Sequence, residues 1–185
     1  MPQLIKPASQ RRYPSVSISL HWVMLVLIVA VYACMDLRDY YPKGSDFREG
    51  LKTWHFMLGL TVLLLALIRV SVRLTGSTPP ITPDPPAWQT LFARLTHLAL
   101  YVFMIAMPVA GWLILSASGK VIPFYGLALP ALVGPDRALA EQVKELHETI
   151  ATIGYFLIGL HAAAALFHHY FVKDDTLRRM MPGPR

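Results

Sequence analysis

The fold is decided by residues 136–172, which read DRALAEQVKELHETIATIGYFLIGLHAAAALFHHYFV. Within this stretch, residues 149–167 are almost all apolar, and the main exceptions are Thr152, Tyr155 and His161. A helix needs about 20 predominantly apolar residues to cross the hydrocarbon core of a bilayer. The segment therefore predicts a transmembrane helix, and the positions of the other helices and histidines are compared with it below.

Two histidines of this helix, His147 and His161, share one face. Their separation in sequence brings them within about 40° of a whole number of helical turns and places them roughly 21 Å apart along the axis. A histidine within hydrocarbon is costly and for that reason often functional. Each imidazole is either a buried side chain bonded to a neighbouring helix or an anchor for something flat and apolar inside a helix bundle.

The composition is that of a membrane protein. The chain has 185 residues, of which 55% are hydrophobic and 15% charged, with a mean hydropathy of +0.46. The net charge of +6 and the isoelectric point near 9.6 are explained more simply by membrane topology than by a nucleic-acid partner. The first apolar run is too long for the core of a cleavable signal peptide, and no small-residue cleavage site follows it.

Three further apolar segments precede the helix described above. The predicted helices cover residues 15–37, 50–74, 87–116 and 136–172. The proline-rich link 78–86 cannot be helical, and the apolar loop 117–135 is expected to lie on the membrane surface. These features predict an all-α, integral membrane four-helix bundle in which residues 1–185 form a single domain.

Four spans place both termini on the same side of a membrane. Lysine and arginine are more frequent on that side, which includes Lys6, Arg11 and Arg185, and most of the acidic residues lie on the other side. By the positive-inside rule, we expect both termini in the cytoplasm of a multi-pass protein.

Histidines on the other helices lie at matching depths. His55 stands near the non-cytoplasmic side, where it can meet His147, and His21 stands near the cytoplasmic side, where it can meet His161. Two such pairs suit two six-coordinate haems, each with a histidine on both faces. His97 lies at about the same depth as His161, so depth alone leaves it open as a rival ligand.

Other metal chemistry fits the pattern less well. The one cysteine, Cys34, belongs to no Cys-x-x-Cys-His sequence, so any haem is expected to be held without covalent bonds. A zinc site would need three or four ligands at one level of the membrane. Two pairs separated by roughly 21 Å do not provide that.

Several neighbours of the histidines have two interpretations each. Gly154, midway between the two histidines of the last helix, and Gly59 either leave room for macrocycles or serve ordinary helix packing. Arg69 faces the same way as His55 at the cytoplasmic level, where it either pairs with haem propionates or reaches lipid headgroups. His168 and His169 are expected at the headgroup level or near a quinone.

The end of the chain resembles the bacterial cytochrome b561 family. The resemblance rests on residues 159–171 (GLHAAAALFHHYF), 173–174 (KD) and 176–182 (TLRRMMP), together with 19–22 (SLHW) and 54–55 (WH). It extends over nearly the whole chain from about residue 12, and the pattern of the last helix is its most specific part.

The resemblance implies four transmembrane helices that enclose two b-type haems in the bacterial inner membrane. In this family the ligands come from the first helix, the second helix and twice from the last helix, which here implies His21, His55, His147 and His161. It argues against His97 as a ligand. Members of the family include an enzyme that oxidises superoxide and passes the electrons to ubiquinone.

Three functions compete at this point. The first is oxidation of superoxide with reduction of ubiquinone; the second is a cytochrome b subunit that serves a dehydrogenase or hydrogenase partner, whose identity the sequence does not give. The third is a bundle without redox activity.

If the protein oxidises superoxide, two lysines are candidates for guiding the anion. Lys52 and Lys144 each lie one turn outward from a predicted ligand and are expected to flank a local entrance for superoxide. Glu49, Glu145 and Glu148 are close enough in sequence to cancel much of that charge.

Overall fold

The computed structural model describes residues 12–76 and 78–183. It consists of four long helices, α1 (Ser15–Arg38), α2 (Asp46–Thr75), α3 (Ala87–Ala117) and α4 (Arg137–Phe167), and a small antiparallel hairpin of β1 (Ile122–Phe124) and β2 (Leu127–Leu129) between α3 and α4. A π-helical turn over His168–Val172 continues α4. A short 3₁₀ helix over Arg178–Met180 follows in the tail.

Each of the four helices is long and apolar enough to cross a membrane. Many large apolar side chains are exposed along them, for example Val26 at 67% and Phe156 at 75%. A water-soluble monomer rarely exposes so much continuous apolar surface, whereas a bilayer solvates it. The expected all-α four-helix membrane bundle is therefore confirmed.

The helices pack as two antiparallel hairpins. α1 lies against α2, α3 lies against α4, and α2 joins the two hairpins through its contact with α3. A cluster of buried apolar side chains lies where α1, α2 and α3 meet; it comprises Met24, Val62, Ala66 and Met104. We call the end of the bundle that carries β1 and β2 the hairpin end, and the opposite end, where α1 begins and α4 finishes, the terminal end.

Helix boundaries differ from the sequence-based ranges where polar caps decide them. α2 begins at Asp46 rather than at Gly50, because the Ser45 hydroxyl accepts a hydrogen bond from the Arg48 amide at 3.4 Å. This is the geometry of an N-cap. At the start of α4 the Asp136 carboxylate accepts from the Leu139 amide at 3.0 Å.

The loop 117–135 contains the β-hairpin instead of being wholly irregular. Its two turn residues, Tyr125 (φ 48°) and Gly126 (φ 87°), both have positive φ, as a two-residue type I′ turn requires. The hairpin packs on α2 and α3 through Ile122, which is 2% exposed beside Leu60 and Leu115. Three-residue strands are too short to give a periodic sequence signal.

The predicted membrane orientation rests partly on residues that the structure does not describe. Lys6, Arg11 and Arg185 lie outside residues 12–76 and 78–183. The side of the membrane on which each end lies therefore stays a prediction.

Candidate functional site

At the hairpin end, α2 and α4 bring His55 and His147 together. Their ring centroids are 6.3 Å apart and the ring planes are crossed at 71°. Nδ1 of His55 lies 3.0 Å from the carbonyl oxygen of Val31 in α1. Because a carbonyl oxygen only accepts, this Nδ1 carries the proton, and the neutral ring keeps a free lone pair on Nε2. Nδ1 of His147 is buried and has no hydrogen-bond partner within the described part of the chain.

At the terminal end, α1 and α4 bring His21 and His161 together with the same spacing. The ring centroids are again 6.3 Å apart, with the planes crossed at 76°. His97 on α3 also reaches this level, and its ring centroid is 5.4 Å from that of His161. Arg69 on α2 reaches the same cluster, and its Nη1 donates to Nδ1 of His21 at 3.1 Å.

Both pairs are suited to hold one iron atom between two imidazoles. Two metal–nitrogen bonds of about 2 Å each, with the distances from each nitrogen to its ring centre, span about 6 Å in total. Two imidazoles on opposite faces of a haem share only the axis through the iron, so crossed ring planes are compatible with this arrangement. Among residues 12–76 and 78–183, no group of three or more His, Cys, Asp or Glu side chains converges on a metal position.

Glycines next to the histidines differ in what surrounds them. A Cβ at Gly59, one turn beyond His55, would meet nothing within 4 Å, so the space beside it is open as expected. A Cβ at Gly111 would lie 3.7 Å from the His147 ring. At Gly154, however, the space is already filled by Tyr32 and Phe103. Of the two interpretations of Gly154, these contacts favour ordinary helix packing over room for macrocycles.

An aromatic cluster lies midway between the two histidine pairs. The rings of Tyr32 on α1 and Tyr155 on α4 are 4.3 Å apart. The Tyr32 hydroxyl donates to the Ala151 carbonyl at 2.7 Å, and the Tyr155 hydroxyl donates to the Asp36 carboxylate at 2.9 Å. These contacts join α1 to α4, and the sequence analysis did not find them. An aspartate within a predicted span was the available signal.

The predicted lysine entrance is largely neutralised within its own helices. Nζ of Lys52 lies 2.6 Å from a Glu49 carboxylate oxygen. Nζ of Lys144 lies 3.6 Å from Glu148. Both ammonium groups are partly exposed, so each pair contributes little charge beyond its immediate surroundings.

Two arginines at the hairpin end were not singled out as site residues. Arg38 is close enough to His55 for its positive charge to act on that imidazole, and it also pairs with Asp39 at 3.3 Å. Arg48 is mostly buried and donates to the carbonyl oxygens of Arg38 and Tyr41, at 2.6 Å and 2.9 Å. Arg48 therefore holds the connection between α1 and α2 in place.

The tail that follows α4 folds over the terminal end. Nδ1 of His168 lies 2.5 Å from a carboxylate oxygen of Asp174, and the Thr176 amide donates to the other oxygen at 2.9 Å. Burial opposes ionisation of Asp174, but the hydrogen bonds from His168 and Thr176 outweigh it and lower the pKa of this carboxyl group. Nδ1 of His169 is buried without a partner in the described segments.

Arg179 and Trp22 fix the same tail to the bundle. Arg179 is 5% exposed, donates to the Pro79 carbonyl and pairs with Asp175 at 3.5 Å. The Trp22 indole donates to the Met180 carbonyl at 2.7 Å. Since Trp22 follows His21 directly, the tail is attached next to a residue of the terminal-end pair.

The sequence matches known proteins over almost its full length. It matches the family described as prokaryotic cytochrome b561 over residues 12–183. It is 42% identical to "Cytochrome b561 homolog 1" of Escherichia coli K12, over 92% of this chain and 97% of that protein. It is 36% identical to "Probable superoxide oxidase CybB" of Yersinia pestis, over 95% and 98% of the two chains. "Cytochrome b561 homolog 2" of Escherichia coli K12 is 32% identical over 92% of this chain and 91% of that protein.

The histidine geometry and these relatives lead to the same family. Members of this family bind b-type haem and transfer electrons within membranes. The four apolar helices and the facing imidazoles agree with that description. The chain belongs to the prokaryotic cytochrome b561 family.

Proposed function

We propose that this protein oxidises superoxide near the His55–His147 pair and reduces ubiquinone near the His21–His161 pair. The observation that carries the proposal is the equal ring separation of 6.3 Å in two histidine pairs at opposite ends of one membrane bundle. The relative named as a probable superoxide oxidase supports the choice of donor.

Two b-type haems, held without covalent bonds, are assigned to the two histidine pairs. His55 and His147 would hold the haem iron at the hairpin end, and His21 and His161 would hold it at the terminal end. Bound b-type haem supplies an iron that carries one electron at a time. His97 is proposed not to be a ligand, and the ring separation of His21 and His161, which matches two imidazoles on one iron, supports this choice.

Arg69 is proposed to bind a haem propionate. In the structure its Nη1 donates to Nδ1 of His21, which requires a lone pair on that nitrogen. Coordination of iron through Nε2 places the proton on Nδ1, so this nitrogen becomes a donor. The guanidinium then needs another acceptor, and a propionate carboxylate at the same level supplies one.

The overall reaction balances with two superoxide anions for each quinone. Each superoxide gives up one electron and leaves as O₂, and ubiquinone takes up two electrons and two protons to become ubiquinol. The protons are proposed to come from the terminal end, where His168 contacts the buried carboxylate of Asp174 beyond His161.

The positive-inside rule supports an orientation with the terminal end in the cytoplasm and the hairpin end in the periplasm of the bacterial inner membrane. In that orientation superoxide arrives from the periplasm. Ubiquinone enters sideways from the bilayer. Lipid is the surrounding partner of all four helices, and no nucleic acid is involved.

A superoxide pulse tests the reaction. Purified protein that contains both haems is mixed with superoxide, with and without a short-chain ubiquinone, and haem absorbance is followed. We expect rapid reduction in both mixtures and reoxidation only with quinone; prior addition of superoxide dismutase is the control and should abolish reduction. Haem that dithionite reduces and superoxide does not would reject the donor, and would favour the alternative of a cytochrome b subunit that receives electrons from a dehydrogenase or hydrogenase.

Lys52 and Lys144 are proposed to assist superoxide at the hairpin end. Because Glu49 and Glu148 accompany them, we expect the double variant Lys52→Gln with Lys144→Gln to slow haem reduction by less than about tenfold, and to flatten its dependence on salt. Lys43→Gln, in the exposed loop at the same end, is the control. An unchanged rate and salt slope in the double variant would remove the two lysines from the route.

The quinone is proposed to bind near His97 and His168. The double variant His97→Ala with His168→Ala should slow reoxidation of the haem by quinone and leave reduction by superoxide intact. Unchanged reoxidation would move the quinone to another part of the bundle.

A further inference from the structure

The two histidine pairs share one geometry but lie in opposite electrostatic surroundings. We propose that Arg69 makes the His21–His161 site the stronger electron acceptor, and thereby sets the direction of electron transfer from the hairpin end to the terminal end. This inference rests on the proposed binding of two haems. It concerns a residue that acts through the ligands and takes no electron itself.

The terminal-end pair is surrounded by positive charge. Nη1 of Arg69 lies 3.1 Å from His21, and the same guanidinium acts electrostatically on His161 and on His97. Arg73, one turn further along α2, also acts on His97. Among the described residues, no carboxylate forms an ion pair with Arg69 or acts on any of these three imidazoles. The positive charge at this level is therefore not compensated by the protein.

The hairpin-end pair is surrounded by electron-rich or compensated groups. His55 donates to the Val31 carbonyl at 3.0 Å, a bond that makes the ring a more basic ligand. The Glu148 carboxylate follows His147 directly and acts on it, although Glu148 is exposed and Lys144 lies 3.6 Å from it. The one arginine that acts on His55 is Arg38, which pairs with Asp39, a carboxylate that Arg48 shares at 3.2 Å.

These differences have opposite effects on the two irons. Oxidised iron carries one more positive charge than reduced iron, so an uncompensated cation nearby favours the reduced state and raises the midpoint potential. A basic ligand and a nearby carboxylate favour the oxidised state and lower it. In the low-dielectric interior of a membrane protein such charges act strongly. If both histidine pairs hold haem, transfer of one electron from the hairpin-end site to the terminal-end site would therefore be downhill.

The effect does not depend on which acceptor Arg69 takes when haem is present. If the guanidinium leaves His21 and pairs with a propionate, it cancels a negative charge close to the iron. In both cases a neutral side chain at position 69 lowers the midpoint potential of the same site. Lysine at this position keeps the charge and loses the planar fork of donors.

Redox titration followed by absorbance tests the proposal directly. Arg69→Gln is expected to lower the midpoint potential of the terminal-end haem and to leave the other unchanged, so that the separation between the two potentials shrinks or reverses. Arg69→Lys should restore most of the separation. The two potentials are assigned in a His55→Ala background, which is expected to retain only the terminal-end haem.

The matched control is Arg94→Gln on α3. Arg94 is exposed at the same end of the bundle, and its charge is not among those that act on the three imidazoles. The substitution removes the same charge and should leave both potentials in place. Equal shifts from Arg94→Gln and Arg69→Gln would mean that net charge alone, and not the position of Arg69, tunes the site.

A second variant tests the electrostatic surroundings of the hairpin-end pair. Glu148→Gln, directly after His147, should slightly raise the midpoint potential of the hairpin-end haem. Glu141→Gln should not, because Glu141, which is likewise exposed and paired with a cation, is not among the groups that act on His147. If Arg69→Gln and Glu148→Gln both bind two haems and leave both potentials unchanged, the inference is wrong while the proposed function stands. A parent protein that binds no haem would instead reject the proposed function.

Discussion

The two ends of the bundle are closed by different chemistry. At the hairpin end, β1 and β2 lie on α2 and α3 through apolar contacts around Ile122, and Lys120 beside them is exposed. At the terminal end, the tail is held by the buried side chains of Asp174 and Arg179. From this difference we expect small solutes to reach the hairpin end from water, and ligands of the terminal end to enter more readily from the lipid.

Haem content gives the largest expected effect and separates the two ends. His55→Ala or His147→Ala should remove the hairpin-end haem, and His21→Ala or His161→Ala the terminal-end haem, so each variant loses about half of its haem. The pyridine haemochrome assay measures this. His97→Ala is the control and should retain both haems; loss of a haem in this variant, with retention in His21→Ala, would exchange the ligand assignments at the terminal end.

Arg179→Ala should release the tail. Removal of one partner of a buried ion pair costs about 3–5 kcal/mol, and less where the other partner stays partly exposed, as Asp175 does here. Limited proteolysis within residues 173–183, followed by mass spectrometry, measures the release. Arg178→Ala removes the same charge from an exposed neighbour and should leave the tail protected. Equal cleavage of both variants would show that Arg179 does not hold the tail.

Gly154→Ala should loosen the contact midway between the two ends. A Cβ at this position overlaps Tyr32 and Phe103, and overpacking of this kind costs about 1–3 kcal/mol. Thermal unfolding in detergent measures the loss. Gly159→Ala is the matched control on α4, because its Cβ would meet nothing within 4 Å. If Gly154→Ala is as stable as Gly159→Ala, the aromatic cluster moves aside without cost.

The smallest expected effect is a dependence of the tail on pH. Since the pKa of Asp174 is lowered in the folded protein, its contribution to tail stability is complete above the ordinary aspartate pKa and is lost as the pH falls through the lowered value. Pepsin cleavage of the tail should therefore rise more steeply with acidification in the parent than in Asp174→Asn. Parallel profiles for the two proteins would assign the change to other acidic groups.

Much of this molecule was predictable because its main signals are local. Helix length and histidine spacing follow from hydrophobic periodicity, which placed His147 and His161 on one face of α4. The two histidine pairs were predicted from the depth of each histidine in the membrane. In antiparallel helices of similar length, side chains at the same depth come together.

What the sequence left open depends on contacts between distant segments. The fold of the tail over α1 rests on the bond from Trp22 to Met180, and no local pattern encodes it. The crowding of Gly154 depends on which side chains α1 and α3 point towards it, so the sequence could not decide between its two interpretations. The spacing of Glu49 and Lys52 in the sequence suggested that the two could pair. Only the observed distance of 2.6 Å shows that Glu49 neutralises much of the positive charge that was expected to attract superoxide.

The bond between Trp22 and Met180 also has a consequence for assembly. Proteins are synthesised from the N-terminal side and fold progressively as they emerge. Both histidines of the hairpin-end pair are in place once α4 has been made as far as His147. The terminal-end pair is secured only when the tail has been translated and has closed onto the beginning of α1. We therefore expect the two cofactors to be loaded in sequence, with the terminal-end haem the last to become permanently enclosed.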